Sequence, residues 1–133
     1  MGHRYSPVLL DNLNFERPNS YDPRIGYGHS NTAVIQFANE LERRYGNAEA
    51  KARGNAIHAS SINPDAIKSR LQAHVKQEFE PLWDLPAWQK VTKAPAQGAT
   101  TTVLAAVEAA FKDTGGFYLE DAQVSAPAKA DPS

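Results

Sequence analysis

The sequence predicts an α/β fold, and three observations carry that prediction. Residues 23–45 repeat apolar side chains near helical spacing behind a proline start. Two short stretches with β-branched and aromatic residues, 55–62 and 115–120, follow later in the chain. Between them lies a second helical pattern, 94–111, so the order reads helix, strand, helices, strand.

Residues 1–21 carry Pro7, Pro18 and several Asn and Asp, and read as an extended entry segment. Asp22 and Pro23 then supply an N-cap and a first helical position. Tyr27, Val34, Ala38, Leu41 and Tyr45 form the apolar stripe of the helix 23–45, widened by Ile35 and Phe37. Glu40, Glu42, Arg43 and Arg44 read as its polar exterior, and Gly46 as its C-cap. The small polar run 47–54 reads as a loop. Residues 55–62 read as a buried strand that runs into the breaker pair Asn63-Pro64, because a residue before proline is pushed out of helix. A helix is expected over 66–76, and a broken helix or loop over 78–91. In the helix 94–111, Thr92 is a candidate cap and Pro95 stands near the start. Gly115 and Gly116 open the strand 115–120, and the Ala/Pro-rich residues 122–133 read as a disordered tail.

The chain has 133 residues, 41% of them hydrophobic and 22% charged, which fits one globular domain. Its formal charge of −1 gives no electrostatic reason to expect nucleic acid or an anionic membrane as partner. It contains no cysteine, which excludes disulfides, thiolate metal sites and a cysteine nucleophile. His3, His29, His58 and His74 show no close metal-ligand spacing. No segment is long and apolar enough for a membrane span or a signal peptide, so a cytoplasmic protein is expected. Two strands give a parallel sheet little to bury against, which suggests a part of something larger.

Tyr27 and Asn31 stand at i and i+4, on one helix face, where both side chains can reach one ligand. The bland alternative is a core tyrosine beside a solvated asparagine. The Gly-x-Gly of "GYGHSN" is not a dinucleotide loop, because no strand precedes it and the third glycine is missing. Asn63-Pro64-Asp65 follows a strand, where open α/β sheets bind ligands, although a purely structural turn fits the spacing equally well. Trp83 and Trp88 flank Pro86 and suit either an apolar pocket or a core.

Taken together, "YDPRIGYGHSNTAVIQFANELERRYG", "NAIHASSINPDAIKSRL", "APAQGATTTVLAAVEAAF" and "GGFYLEDAQVSAP" resemble short-chain dehydrogenases/reductases of the retinol-dehydrogenase-like and WW-domain-oxidoreductase-like branch. The resemblance covers essentially the whole chain. It implies the C-terminal portion of a Rossmann-type doubly wound parallel sheet, without the N-terminal dinucleotide-binding half. It also implies NAD(P)-dependent oxidation or reduction of an alcohol/carbonyl pair, with Tyr27 as proton donor or acceptor. Tyr27, Asn31, Ile67 and Ser69 would meet the nicotinamide-ribose end of the cofactor. Phe79, Leu82, Trp83 and Trp88 lean toward a small apolar substrate.

Two departures stand out. Asn31 occupies the position of the family's catalytic lysine, and Asp65 that of its turn glycine. A free tyrosine has a pKa of about 10 and needs a nearby cation to act as a base at neutral pH. Asn31 can donate a hydrogen bond but supplies no charge. With no glycine-rich phosphate loop and no serine-bearing strand, this chain alone is expected to turn over little. The alternative is a non-catalytic fragment that self-associates, or pairs with an intact homologue, through the Tyr27 helix. Partial exposure of Val34, Ala38 and Leu41 is expected to favour such pairing.

Overall fold

The computed structural model describes residues 2–71, 81–82 and 84–127. Phe79 and Trp83, the second half of the helix expected over 66–76, and residues 128–133 lie outside them. Helix α1 spans Pro23–Tyr45. The Asp22 carboxylate accepts from the N–H groups of Arg24 and Ile25 at 2.8 and 2.9 Å, closing the helix start, and Pro23 needs no partner for its missing N–H.

The entry segment begins as a 3-10 helix, Gly2–Tyr5, and lies along α1. The contact face of α1 is made of small and polar residues: Gly28, His29, Thr32 and Ala38 are its buried positions. Gly28 lets the two backbones touch. A Cβ there would sit 2.5 Å from Ser6 N and 2.8 Å from Tyr5 Cβ. The Thr32 hydroxyl lies 2.8 Å from the Ser6 carbonyl and 3.2 Å from that of His3. Leu9 N–H donates to His29 Nδ1 at 2.9 Å. These bonds satisfy backbone groups that the contact removes from water.

A short helix, α2, covers Ala48–Ala52, capped by the Asn47 side chain at Ala50 N. Then come strand β1, Ser61–Asn63, and strand β2, Ala66–Ile67. Helix α3 covers Pro86–Val91, strand β3 Thr92–Lys93, and helix α4 Pro95–Val107. Strand β4 spans Tyr118–Glu120 and strand β5 Gln123–Ser125. The protein is therefore α/β with small parallel and mixed sheets. β1 pairs parallel with β4, Ser61 opposite Tyr118, and β5 adds antiparallel to β4. β2 and β3 form a separate parallel pair, Ile67 opposite Lys93. Helix α4 lies against β1, β2, β3 and β4. Among the described residues, Ala38, Ala50, Tyr118 and Leu119 are the buried apolar ones, and Leu119 alone of the large ones is fully enclosed.

Several expectations need correction. Residues 47–54 hold a helix rather than only a loop, because Asn47 caps it. Residues 66–69 of the helix expected over 66–76 are not helical: Ala66–Ile67 pairs with Thr92–Lys93, and pairing overrides local helix propensity. Thr92 is thus a strand residue, and Ala94 caps α4 with help from the Gln97 side chain, which accepts from Ala94 N. The strands are shorter than 55–62 and 115–120, and α4 ends at Val107, short of 111. Residues 123–125, expected as part of a disordered tail, form β5. Asp121 and Ala122 turn the hairpin with φ of 57° and 56°, the two left-handed residues of a type I′ turn. No glycine advertises that turn, which is why the hairpin hides in the sequence.

Glu42 is also corrected. Its side chain is not polar exterior but only 18% exposed. Oε2 accepts from Ala59 N at 3.0 Å and Oε1 from Gly115 N at 3.1 Å, while His58 Nδ1 lies 3.0 Å from Oε1. One carboxylate thus ties α1 to the segments that enter both parallel strands. Burial alone would raise its pKa. The Ala59 N–H, the His58 ring and the Gly115 N–H outweigh burial and hold it below 4.5.

A carboxyl lowered by folding stabilises above its ordinary value, and that stabilisation is lost as pH falls through the folded pKa. Glu42→Gln is expected to cost about 2 kcal/mol at pH 7 in urea unfolding. It should also flatten the fall of stability with acid below pH 4.5. An unchanged acid limb would show that other groups set it. Ala122→Gly is expected to add about 1 kcal/mol, since glycine adopts the left-handed turn without strain, and thermal unfolding reads this directly.

Candidate functional site

The first turns of α1 present Tyr27 at the surface, 47% exposed. Its ring lies over Gly2: a Cβ on Gly2 would collide with the Tyr27 ring and come within 3.0 Å of Asn31 Nδ2. Asn31 Nδ2 donates to the Tyr27 carbonyl at 2.7 Å, and Ser30 Oγ donates to the same carbonyl at 3.0 Å. The Asn31 amide is therefore folded back on its own helix rather than extended past the tyrosine ring. Shared helical spacing brings Tyr27 and Asn31 together, but what joins them is an amide-to-backbone bond.

A second polar group collects at the carboxyl ends of β1 and β4. Asn63 Nδ2 donates to Glu120 Oε1 at 2.6 Å, and Asn63 Oδ1 accepts from Asp65 N at 3.1 Å. Asp65 sits at φ 66°, in the left-handed region that glycine enters without strain. Lys93 Nζ lies 2.5 Å from Asp65 Oδ2 and 2.5 Å from Asp121 Oδ1. Asp121 and Asp65 raise the Lys93 pKa by holding the ammonium. Burial pushes the Tyr118 hydroxyl up, and the Glu120 carboxylate adds to it.

Ile67 and Ser69 follow this turn. Ile67 packs on α4 at Gly98, where any Cβ would strike its side chain. Ser69 Oγ accepts from Leu71 N at 3.3 Å. A shallow cavity of about 230 Å³ is lined by Lys93, Gln97, Thr100, Thr101, Asp121 and Ala122. A second cavity, of about 560 Å³, lies in the loop 10–18. Neither is lined by Tyr27, Asn31, Ile67 or Ser69, and no hydrogen bond among the described residues joins the Tyr27–Asn31 pair to the Ile67–Ser69 segment. No trio of His, Asp or Glu among the described residues is placed to hold a metal.

The chain is 40% identical over 127 residues to the short-chain dehydrogenase/reductase prx1 of Penicillium roqueforti, covering 95% of this chain and 35% of that protein. It is 36% identical over 137 residues to the oxidoreductase calI of Penicillium decumbens, covering 93% of this chain and 35% of that protein. The polyprenol dehydrogenase of Homo sapiens is 28% identical over 117 residues, covering 88% and 33%. No protein-family model matches the chain. No solved structure matches it significantly. The chain is similar to short-chain dehydrogenases/reductases and spans about a third of the length of the curated relatives it matches.

Lys93 and the half-buried Glu42 escape sequence reasoning. Asp65 stands in a turn that the sequence marks, but its cation comes from a residue 28 positions away. Glu42 reads as solvated because charged neighbours surround it in sequence. Gly28 has a visible signal, a glycine inside a helix, which commonly marks close backbone approach. Gly28→Ala is expected to cost about 2 kcal/mol and to loosen the entry segment around Tyr27. Thermal unfolding and tyrosine fluorescence check this, and an unchanged midpoint would refute the close-packing account.

Proposed function

We propose that this chain carries the nicotinamide-facing and proton-transferring part of an NAD(P)-dependent alcohol/carbonyl oxidoreductase. The observation that carries the reading is the exposure of Tyr27 on α1, the residue that the resemblance matches to the family's catalytic tyrosine. Asp65, which the resemblance matches to the family's turn glycine, supports it, because its φ of 66° lies in the region that glycine enters without strain, at the carboxyl end of β1. The residues present fit the nicotinamide-ribose end only in part. Ile67 and Ser69 follow the turn, whereas the Asn31 amide is already engaged by the Tyr27 carbonyl.

When bound, the nicotinamide would give or take a hydride. Tyr27 would exchange a proton with the substrate oxygen, general acid–base work for which a cationic neighbour is the usual aid. Asn31 gives no such cation, and no glycine-rich loop after a strand grips a pyrophosphate within the 133 residues. These residues by themselves would therefore turn over little. The substrate class is a small apolar alcohol or carbonyl compound, on the leaning of Leu82 and Trp88.

A second reading is a non-catalytic fragment that pairs with itself or with an intact homologue. It is favoured by an exposed stripe on α1, where Tyr27, Val34, Phe37 and Tyr45 are 47%, 61%, 65% and 46% accessible.

Calorimetric titration with NADPH and NADH is expected to show no micromolar binding by these residues alone, and binding at that level would overturn the weak-grip reading. Asn31→Lys is expected to raise NADPH-dependent reduction of an apolar test carbonyl about tenfold or more. Adding Tyr27→Phe should erase the gain. A gain that survives Tyr27→Phe would sink the role given to Tyr27. No gain from folded Asn31→Lys, together with a dimer in sedimentation, would favour the second reading.

A further inference from the structure

We propose that Lys93 is a positioning residue that lets an aspartate do the work of a glycine in the turn after β1, and so fixes the segment Ile67–Ser69. The inference deepens the reading above, which makes that segment the cofactor-facing one.

Asp65 and Asp121 both adopt left-handed backbone, at φ 66° and 57°. They follow two neighbouring parallel strands, β1 and β4. An L-residue in this region is strained unless its surroundings hold it there. One ammonium, 25% exposed, meets both carboxylates at 2.5 Å. The Asp65 side chain is itself only 21% exposed, so its ion pair is shielded on most sides. Asn63 Oδ1 holds the Asp65 N–H from the other side, and Thr101 Oγ1 accepts from Ala122 N to hold the hairpin turn.

The β-ladder places Ile67 opposite Lys93 and Ala66 opposite Thr92. The backbone of Lys93 thus fixes where β2 lies, while its side chain fixes the turn from which β2 departs. Without the ammonium, the ladder would keep only two residue pairs, and two carboxylates would be left near one another with strained backbones. A glycine at 65 would need no such tether.

The test is backbone amide exchange on the folded chain, read at Asp65 through Ser69. Lys93→Met, which keeps length and loses charge, is expected to speed exchange there about tenfold. Lys93→Arg should stay within about threefold of the natural chain, because a guanidinium still spans two carboxylates. The decisive variant is Asp65→Gly with Lys93→Met, expected to return exchange to within about threefold of Asp65→Gly alone. Unchanged exchange in Lys93→Met overturns the proposal. So does a double variant as loose as Lys93→Met, since the cation would then act other than through the Asp65 conformation. If Lys93→Met fails to fold, the comparison of Asp65→Gly with the double variant still decides: equal exchange supports the tether and a large difference refutes it. NADPH titration of a longer homologous chain carrying the same substitutions separates this inference from the functional reading. A tether seen in exchange with no effect on NADPH affinity leaves the positioning of the turn standing and removes the cofactor role of Ile67 and Ser69.

Discussion

The fold depends on the capture of two strand entries by one carboxylate. Helix α1 runs 23 residues, but its apolar stripe is largely outside, with Val34 and Phe37 open to solvent. Its C-terminal half is attached by Glu42, which holds Ala59 before β1 and Gly115 before β4, and by the Tyr45 carbonyl, which accepts from Ile57 N. Charge-assisted bonds of this kind are stronger than neutral ones and tolerate little displacement. Gly115 belongs to the same device. A side chain there would strike the Glu42 carboxylate and the Ala59 backbone, so the close approach needs glycine. With the entries of β1 and β4 fixed side by side, their parallel register follows, and their carboxyl ends emerge together.

At those carboxyl ends the same logic recurs with the opposite sign. A cation gathers two carboxylates where a carboxylate gathered N–H groups. Polar ties therefore bound the small sheet at both ends, and the buried apolar residues among those described are Tyr118, Leu119, Ala38 and Ala50. Hydrophobic burial grows with the area removed from water, and these residues remove little large apolar area. The balance of forces is thus shifted from packing toward specific hydrogen bonds and ion pairs, which fix geometry more sharply than they add stability.

How much of this was legible in the sequence follows from the range of each interaction. Helix α1 and its start were legible, because Asp22 and Pro23 act within one turn. The shared face of Tyr27 and Asn31 was legible for the same reason. Strand positions were legible only roughly, since β1 and β4 are three residues each and their ends are set by partners 57 residues away. Strand β5 was hidden because its turn uses Asp121-Ala122 in place of a glycine-bearing pair. The Glu42 and Lys93 ties were hidden altogether. A charged residue looks solvated until the backbone N–H or carboxylate that meets it is known, and those come from distant segments. The exposure expected for Val34, Ala38 and Leu41 divides in the structure: Val34 is open, Leu41 is half-buried and Ala38 is enclosed.

The two departures from the family pattern differ in physical kind. Asp65, where the resemblance expects a glycine, stands at a positive φ, with Asn63 and Lys93 bonded to it. Asn31, where the resemblance expects a lysine, carries no charge. The amide turns to the Tyr27 carbonyl, where it satisfies itself and leaves the phenol without a cation from that position. A neighbouring residue can supply a lost conformational preference, because many arrangements of tethers fix one dihedral angle. A lost ammonium is harder to replace, because its effect on a hydroxyl falls with distance and needs a charge at one place. The turn at the strand ends thus keeps the backbone conformation that a glycine adopts freely, while the Asn31 amide brings no charge beside Tyr27.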